Sequence, residues 1–139
     1  MAVDFGDVRT GIAVSDESAS LAGDAWVINE KREEVLTKTI LDEAKARGVF
    51  LIVVGYPKNM DGSVGQRAVS CEVFARNLKN QSSLGQGSIE VALWDERLTT
   101  MQAERILKSA GKHGKKRKSS VDAVAASLIL ESYLDSRST

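Results

Sequence analysis

Apolar positions along the chain change period several times, and each change marks an element. Ala2–Phe5 and Thr10–Ser15 are short apolar runs separated by Gly6 and a few turn-like residues, which predicts a β-hairpin. Ala25–Ile28, preceded by Gly23-Asp24, predicts a third strand. Between residues 30 and 47 the period lengthens: Leu36, Ile40 and Ala44 recur every four residues, with Val35 and Leu41 beside them, predicting an amphipathic helix that stops at Gly48. Val49–Val54 is continuous and rich in β-branched residues, the pattern of a strand buried on both faces in a parallel sheet. After a loop over Tyr56–Gly65, a helix over Arg67–Lys79 presents Val69, Val73, Phe74 and Leu78 as its core positions. Ile89–Trp94 predicts a fifth strand. Thr99 and Gln102 have capping-box spacing, and open a helix that carries Ala103, Ile106, Leu107 and Ala110 and ends at Gly111. Ser119 or Ser120 then caps a last helix with Val121, Val124, Ala125 and Leu128 facing inward. The order βββ-α-β-α-β-α-α predicts an α/β fold: a five-stranded mixed sheet, three antiparallel strands followed by βα units, with helices on both faces.

Composition narrows the class. With 139 residues, 42% of them hydrophobic, the chain has material for one buried core, so residues 1–139 are expected to form one domain. Its longest apolar run, Val49–Val54, is far too short to cross a bilayer, and no charged segment leads into an apolar one at the start. Cys71 is the one cysteine, which excludes an internal disulfide, and there is no CxxC or Cys/His cluster for zinc. These features predict a soluble cytoplasmic domain with no membrane partner. Nineteen basic residues balance nineteen acidic ones, but unevenly. Lys108, Lys112, Lys115, Lys116, Arg117 and Lys118 crowd one segment without an acid among them, leaving 13 basic against 19 acidic residues elsewhere. An acidic site beside a basic arm suits metal-dependent chemistry on a polyanion; a solvated lysine-rich loop explains the segment equally well.

Four acids stand where chemistry is expected. Asp4 lies near the end of an apolar strand, where a carboxylate needs compensation. Asp95 and Glu96 close the fifth strand, and Asp122 falls in the first turn of the last helix. Sites in open α/β sheets form beyond the carboxyl ends of strands, so these acids can converge there. Hard oxygen donors select magnesium or manganese, and two such ions about 4 Å apart support phosphodiester hydrolysis. Ordinary roles stand beside this one. Asp122 can serve the helix dipole, and Asp95 and Glu96 can pair with Arg97. Side chains alternate along a strand, so Asp95 and Glu96 do not both enter one site unless the strand has ended; the sequence leaves the choice open.

Four blocks carry a resemblance. Asp4-Phe5-Gly6-Asp7-Val8-Arg9-Thr10-Gly11-Ile12-Ala13-Val14-Ser15-Asp16 resembles the opening motif of the YqgF family, also called RuvX-type Holliday junction resolvases. Val54-Gly55-Tyr56-Pro57-Lys58-Asn59-Met60-Asp61-Gly62, Asp95-Glu96-Arg97-Leu98-Thr99-Thr100 and Val121-Asp122-Ala123-Val124-Ala125-Ala126 resemble further blocks of that family in the same order. The resemblance implies an RNase H-like fold and a metal-dependent nuclease that processes the precursor of small-subunit ribosomal RNA, with branched DNA as the alternative substrate. By position it implies that Asp4, Asp95 or Glu96, and Asp122 are the catalytic acids and metal ligands. The chain departs from the family's pattern in its short first strand and in Val8, which stands where a basic residue is common.

Other polar residues divide between two roles. Arg9 either reaches a phosphate or pairs with an acid across the hairpin. Lys58 and Asn59 lie in a polar loop where a turn and a substrate contact are equally supported. Arg97 suits a phosphate through its planar fork, and Lys112, Lys115, Lys116, Arg117 and Lys118 suit a nucleic-acid backbone. Thr99 reads as a cap, His113 as solvated, and Trp26 and Trp94 as packing residues. The combined expectation is a magnesium- or manganese-dependent endonuclease acting on structured RNA or branched DNA as a monomer or homodimer. An actin-like nucleotide-binding protein, prompted by the D-x-G-x-x-x-x-G turn, and a non-catalytic nucleic-acid-binding module are the competing readings.

Overall fold

The computed structural model describes residues 1–16, 22–84, 89–97 and 114–137, the last stretch with side chains from Val121 onward. Its elements are β1 (Ala2–Asp4), β2 (Arg9–Ser15), β3 (Ala22–Asn29), α1 (Glu33–Ala46), β4 (Leu51–Tyr56), α2 (Gln66–Ser83), β5 (Glu90–Asp95) and α3 (Gly114–Arg137). The predicted helix over residues 99–111, with Thr99, Lys112 and His113, lies outside the described residues.

The five strands form one mixed sheet in the order β3-β2-β1-β4-β5. β1, β2 and β3 pair antiparallel, while β1 with β4 and β4 with β5 pair parallel. Strand alternation gives the sheet two unlike faces. Val3, Ile12, Val14, Ile52 and Val54 point to one side and pack under Leu36, Ile40 and Ala44 of α1 and Cys71, Phe74 and Leu78 of α2. Ala2, Ala13 and Val53 point to the other and meet Ala126, Ile129, Leu130 and Leu134 of α3. The α3 side is made of smaller residues, so that helix sits close to the sheet. At Gly11 a Cβ would lie 2.1 Å from the Asp122 carbonyl oxygen, a contact only glycine permits. The expected five-stranded mixed sheet with helices on both faces is the observed one.

Two local expectations are corrected. Val69 and Val73 are 46% and 41% exposed, whereas Ala68, Cys71, Phe74, Ala75 and Leu78 form the buried stripe of α2. Phe74 stacks on Phe5 with ring centroids 4.2 Å apart, a contact that goes with this rotation of the helix and turns Val69 and Val73 outward. The last helix begins at Gly114, not at a Ser119 or Ser120 cap. Lys115, Lys116, Arg117 and Lys118 therefore belong to helix rather than linker, and Asp122 lies in the third turn, beyond the reach of a terminal dipole. The inward stripe of α3 is Ala125, Ala126, Ile129, Leu130 and Leu134, while Val121, Val124 and Leu128 are half-buried. Among the described residues no helix is long and apolar enough to cross a membrane.

Candidate active site

Asp4 is the last residue of β1 and stands opposite Gly11 of β2. Alternation from Ala2 turns it toward α3, the side on which the Asp122 backbone rests against Gly11. Asp122 is held there by Arg9, whose Nε donates to Oδ2 at 3.3 Å. Arg9 thus pairs with an acid, on the helix rather than across the hairpin.

The two acids at the end of β5 separate. Asp95 stays in register beside Tyr56 and is gripped by Arg97: the backbone N–H of Arg97 donates to Oδ1 at 3.1 Å and its Nη2 lies 2.8 Å from Oδ2. Partial burial raises the Asp95 pKa, but the hydrogen bonds and charge of Arg97 outweigh it and bring the pKa below the ordinary value. Glu96, one residue on, is 7% exposed. Its carboxylate lies over Gly55 of β4, where a Cβ would fall 2.1 Å from Oε2 and 2.7 Å from Ile129 Cδ1. Gly55 thus leaves the space that the Glu96 head occupies beneath α3.

Asp4 of β1 thus has Asp122 of α3 and Glu96, the residue after β5, within electrostatic reach. Burial pushes the Asp4 carboxyl up to about 6; Arg67 pulls it down, and the Asp122 charge adds to the rise. Glu96 is pushed up to about 8, first by burial and then by the Asp4 charge, with Arg67 opposing and Asp95 adding a smaller push. Among the described residues these groups do not close into a three-ligand cage. The donor set is nonetheless all carboxylate oxygen; the Asp122 charge raises the Asp4 carboxyl and the Asp4 charge raises that of Glu96. A hard divalent cation fits that set, because it takes oxygen ligands and offsets their repulsion.

The loop after β4 is organised by its own hydrogen bonds. Asn59 N–H donates to Ser63 O at 2.9 Å, Asn59 Nδ2 donates to Ser63 Oγ at 2.9 Å, and Gly62 N–H donates to Asn59 O at 2.8 Å. Asn59 is thereby a turn residue. Lys58 lies with Nζ 5.6 Å from the centre of the Tyr56 ring, and Tyr56 OH bonds Glu72. Trp94 packs edge-on against Tyr133 and donates Nε1–H to Ser132 Oγ at 3.0 Å, a packing role as expected. The residue that the sequence did not single out is Arg67. Its Nη2 donates to Phe5 O at 2.7 Å, next to Asp4, and its charge acts on both Asp4 and Glu96. One signal was available: a cation in the first turn of a helix stands at the end where the dipole disfavours it.

A mixed sheet in this strand order, flanked by helices on both faces, is the architecture of the RNase H-like proteins. Thermus thermophilus RuvC has the same fold: its complex with a Holliday junction substrate superposes with a TM-score of 0.57 at 12% identity, over 98% of this chain and 92% of that one. A second Thermus thermophilus RuvC structure gives 0.53 at 14% identity, over 98% and 93% of the two chains. Residues 1–136 match the family described as "RuvX: Holliday junction resolvase", and the chain belongs to that family. Proteins of Bacillus mycoides (strain KBAB4) and Bacillus cytotoxicus, each named "Putative pre-16S rRNA nuclease", are each 43% identical over 139 residues, covering 99% of this chain and 98% of their own.

Proposed function

We propose that residues 1–139 form one nuclease domain, a divalent-cation-dependent endonuclease that hydrolyses phosphodiester bonds in structured RNA. The precursor of small-subunit ribosomal RNA is its substrate, which sets its work in the cytoplasm. What supports this reading is that the Asp122 charge acts on Asp4 and the Asp4 charge on Glu96, three acids from separate elements near the carboxyl end of the sheet. The names of the Bacillus relatives support the choice of RNA.

In this reading Asp4, Glu96 and Asp122 hold magnesium or manganese, and Asp95, occupied by Arg97, stays outside the ligand set. Held there, such a cation would supply a more acidic bound water and charge compensation at the leaving oxygen. Arg9 orients Asp122, and Gly55 keeps the Glu96 carboxylate seated below Ile129. Lys112, Lys115, Lys116, Arg117 and Lys118 engage the sugar–phosphate backbone, so binding weakens steeply with salt. A four-way DNA junction is the second reading, favoured by the family's description and the RuvC-like fold. A two-fold junction would call for two copies of the chain.

The test is to incubate the protein with precursor ribosomal RNA and with a four-way DNA junction, each in manganese and in EDTA. Cleavage of the RNA in manganese alone is expected, with cleavage lost in Asp4→Asn while its circular dichroism stays native. An Asp4→Asn protein cutting at the parental rate would sink the mechanism, and junction cleavage without RNA cleavage would move the substrate to DNA.

A further inference from the structure

Among the described residues three arginines stand by the acids, and two of them are matched to a carboxylate. Arg9 meets Asp122, and Arg97 meets Asp95. Arg67 differs. Among the described residues its hydrogen bond runs to a neutral acceptor, the Phe5 carbonyl, at 2.7 Å. A guanidinium carries five N–H donors in a rigid plane, and an anchor through one nitrogen fixes the plane without cancelling its charge. Phe5 directly follows Asp4, so the anchor holds the guanidinium at the rim of the acidic site. The side chain is exposed to solvent, and its charge is felt by Asp4 and Glu96. It also stands in the first turn of α2, which carries no acid. That end of a helix opposes a cation and attracts a phosphate, so an anion placed there satisfies helix and arginine together.

We propose that Arg67 is a catalytic residue whose guanidinium grips a non-bridging oxygen of the scissile phosphate, anchored for that purpose on the Phe5 carbonyl. This inference rests on the nuclease reading above and adds a residue to it. The phosphate arrives between the acids, which hold the cation, and the fork of Arg67, which takes the charge that gathers on the non-bridging oxygens during attack. A donor preorganised toward developing charge contributes more to the reaction than to ground-state binding.

The alternative is that Arg67 only balances the charge of the free site. Arg67→Met and Arg67→Lys separate the two roles, because lysine keeps the charge and loses the planar fork. Single-turnover cleavage of precursor RNA at saturating protein is expected to fall on the order of 100-fold in Arg67→Met, with recovery to no more than a tenth of the parental rate in Arg67→Lys. Salt dependence supplies a readout that needs no turnover. In the Asp4→Asn background, adding Arg67→Met is expected to reduce the slope of log K against log salt by about 0.7 to 0.9, and adding Arg67→Lys to leave it unchanged. Full activity in Arg67→Lys beside a crippled Arg67→Met, or an unchanged slope in Arg67→Met, would overturn the phosphate contact. Parental cleavage by Arg67→Met, with Asp4→Asn inert, would overturn it while the nuclease reading stood. An inert parental protein would instead sink the nuclease reading and the catalytic role with it.

Discussion

Asp4 and Glu96 are held in the fold at a cost that depends on pH. Both carboxyls have folded-state pKa values above their ordinary ones, about 6 against 3.8 and about 8 against 4.5. The folded chain therefore binds more protons than the unfolded chain in that window, and stability is fully present below the ordinary carboxylate range and lost as pH rises toward 8. With EDTA present, the melting temperature is expected to fall between pH 5 and pH 8.5, and the fall to shrink in Glu96→Gln. Thermal melts of the two proteins across that range check it; parallel curves would refute the assignment. At this scale the sequence was informative where an acid was out of place. Asp4 in an apolar strand stood out, and so did Asp122. Asp95 and Glu96 could not be separated, because the answer depends on Gly55 of another strand leaving room for one of them. Arg67 was hidden for a similar reason: its anchor is a backbone carbonyl 62 positions away along the chain.

Between elements, the seating of α3 on the sheet decides whether the proposed site can form. The helix approaches β2 so closely that a methyl at Gly11 would collide with the Asp122 carbonyl. Gly11→Ala is expected to cost about 1–3 kcal/mol, the usual penalty for overpacking a tight contact. Val73→Thr, on the outward side of α2, is expected to stay within about 0.5 kcal/mol. Urea unfolding of both variants measures the contrast, and equal losses would contradict the packing described. The strands and α1 were legible from period alone, since Leu36, Ile40 and Ala44 are all buried as predicted. The rotation of α2 was not, because its sequence offers apolar residues on two faces and a distant ring, Phe5, packs against only one. The start of α3 was misplaced because Ser119 and Ser120 look like caps, although the helix already runs from Gly114.

For the molecule as a whole, the proposed function links cation binding to folding. Asp4 and Glu96 belong to the sheet's end and Asp122 to α3, so an ion shared among them would tie together elements whose acids face one another. Manganese at about 100 times its dissociation constant is expected to add about 2.7 kcal/mol to the folded state. A rise of several degrees in the melting temperature, absent in Asp4→Asn, is the measurement; an equal rise in both proteins would place the ion elsewhere. The topology of the sheet was foreseeable from element order, whereas the mutual repulsion of the acids emerges only when the three elements are assembled.

Seating one acid on α3 and two on the sheet has a further consequence. The proposed reaction centre lies where α3 meets one face of the sheet, so it is only as durable as the grip between helix and strands. A slight lifting of the helix would disarm the enzyme while the strands beneath remained folded, and inactivation should run ahead of denaturation.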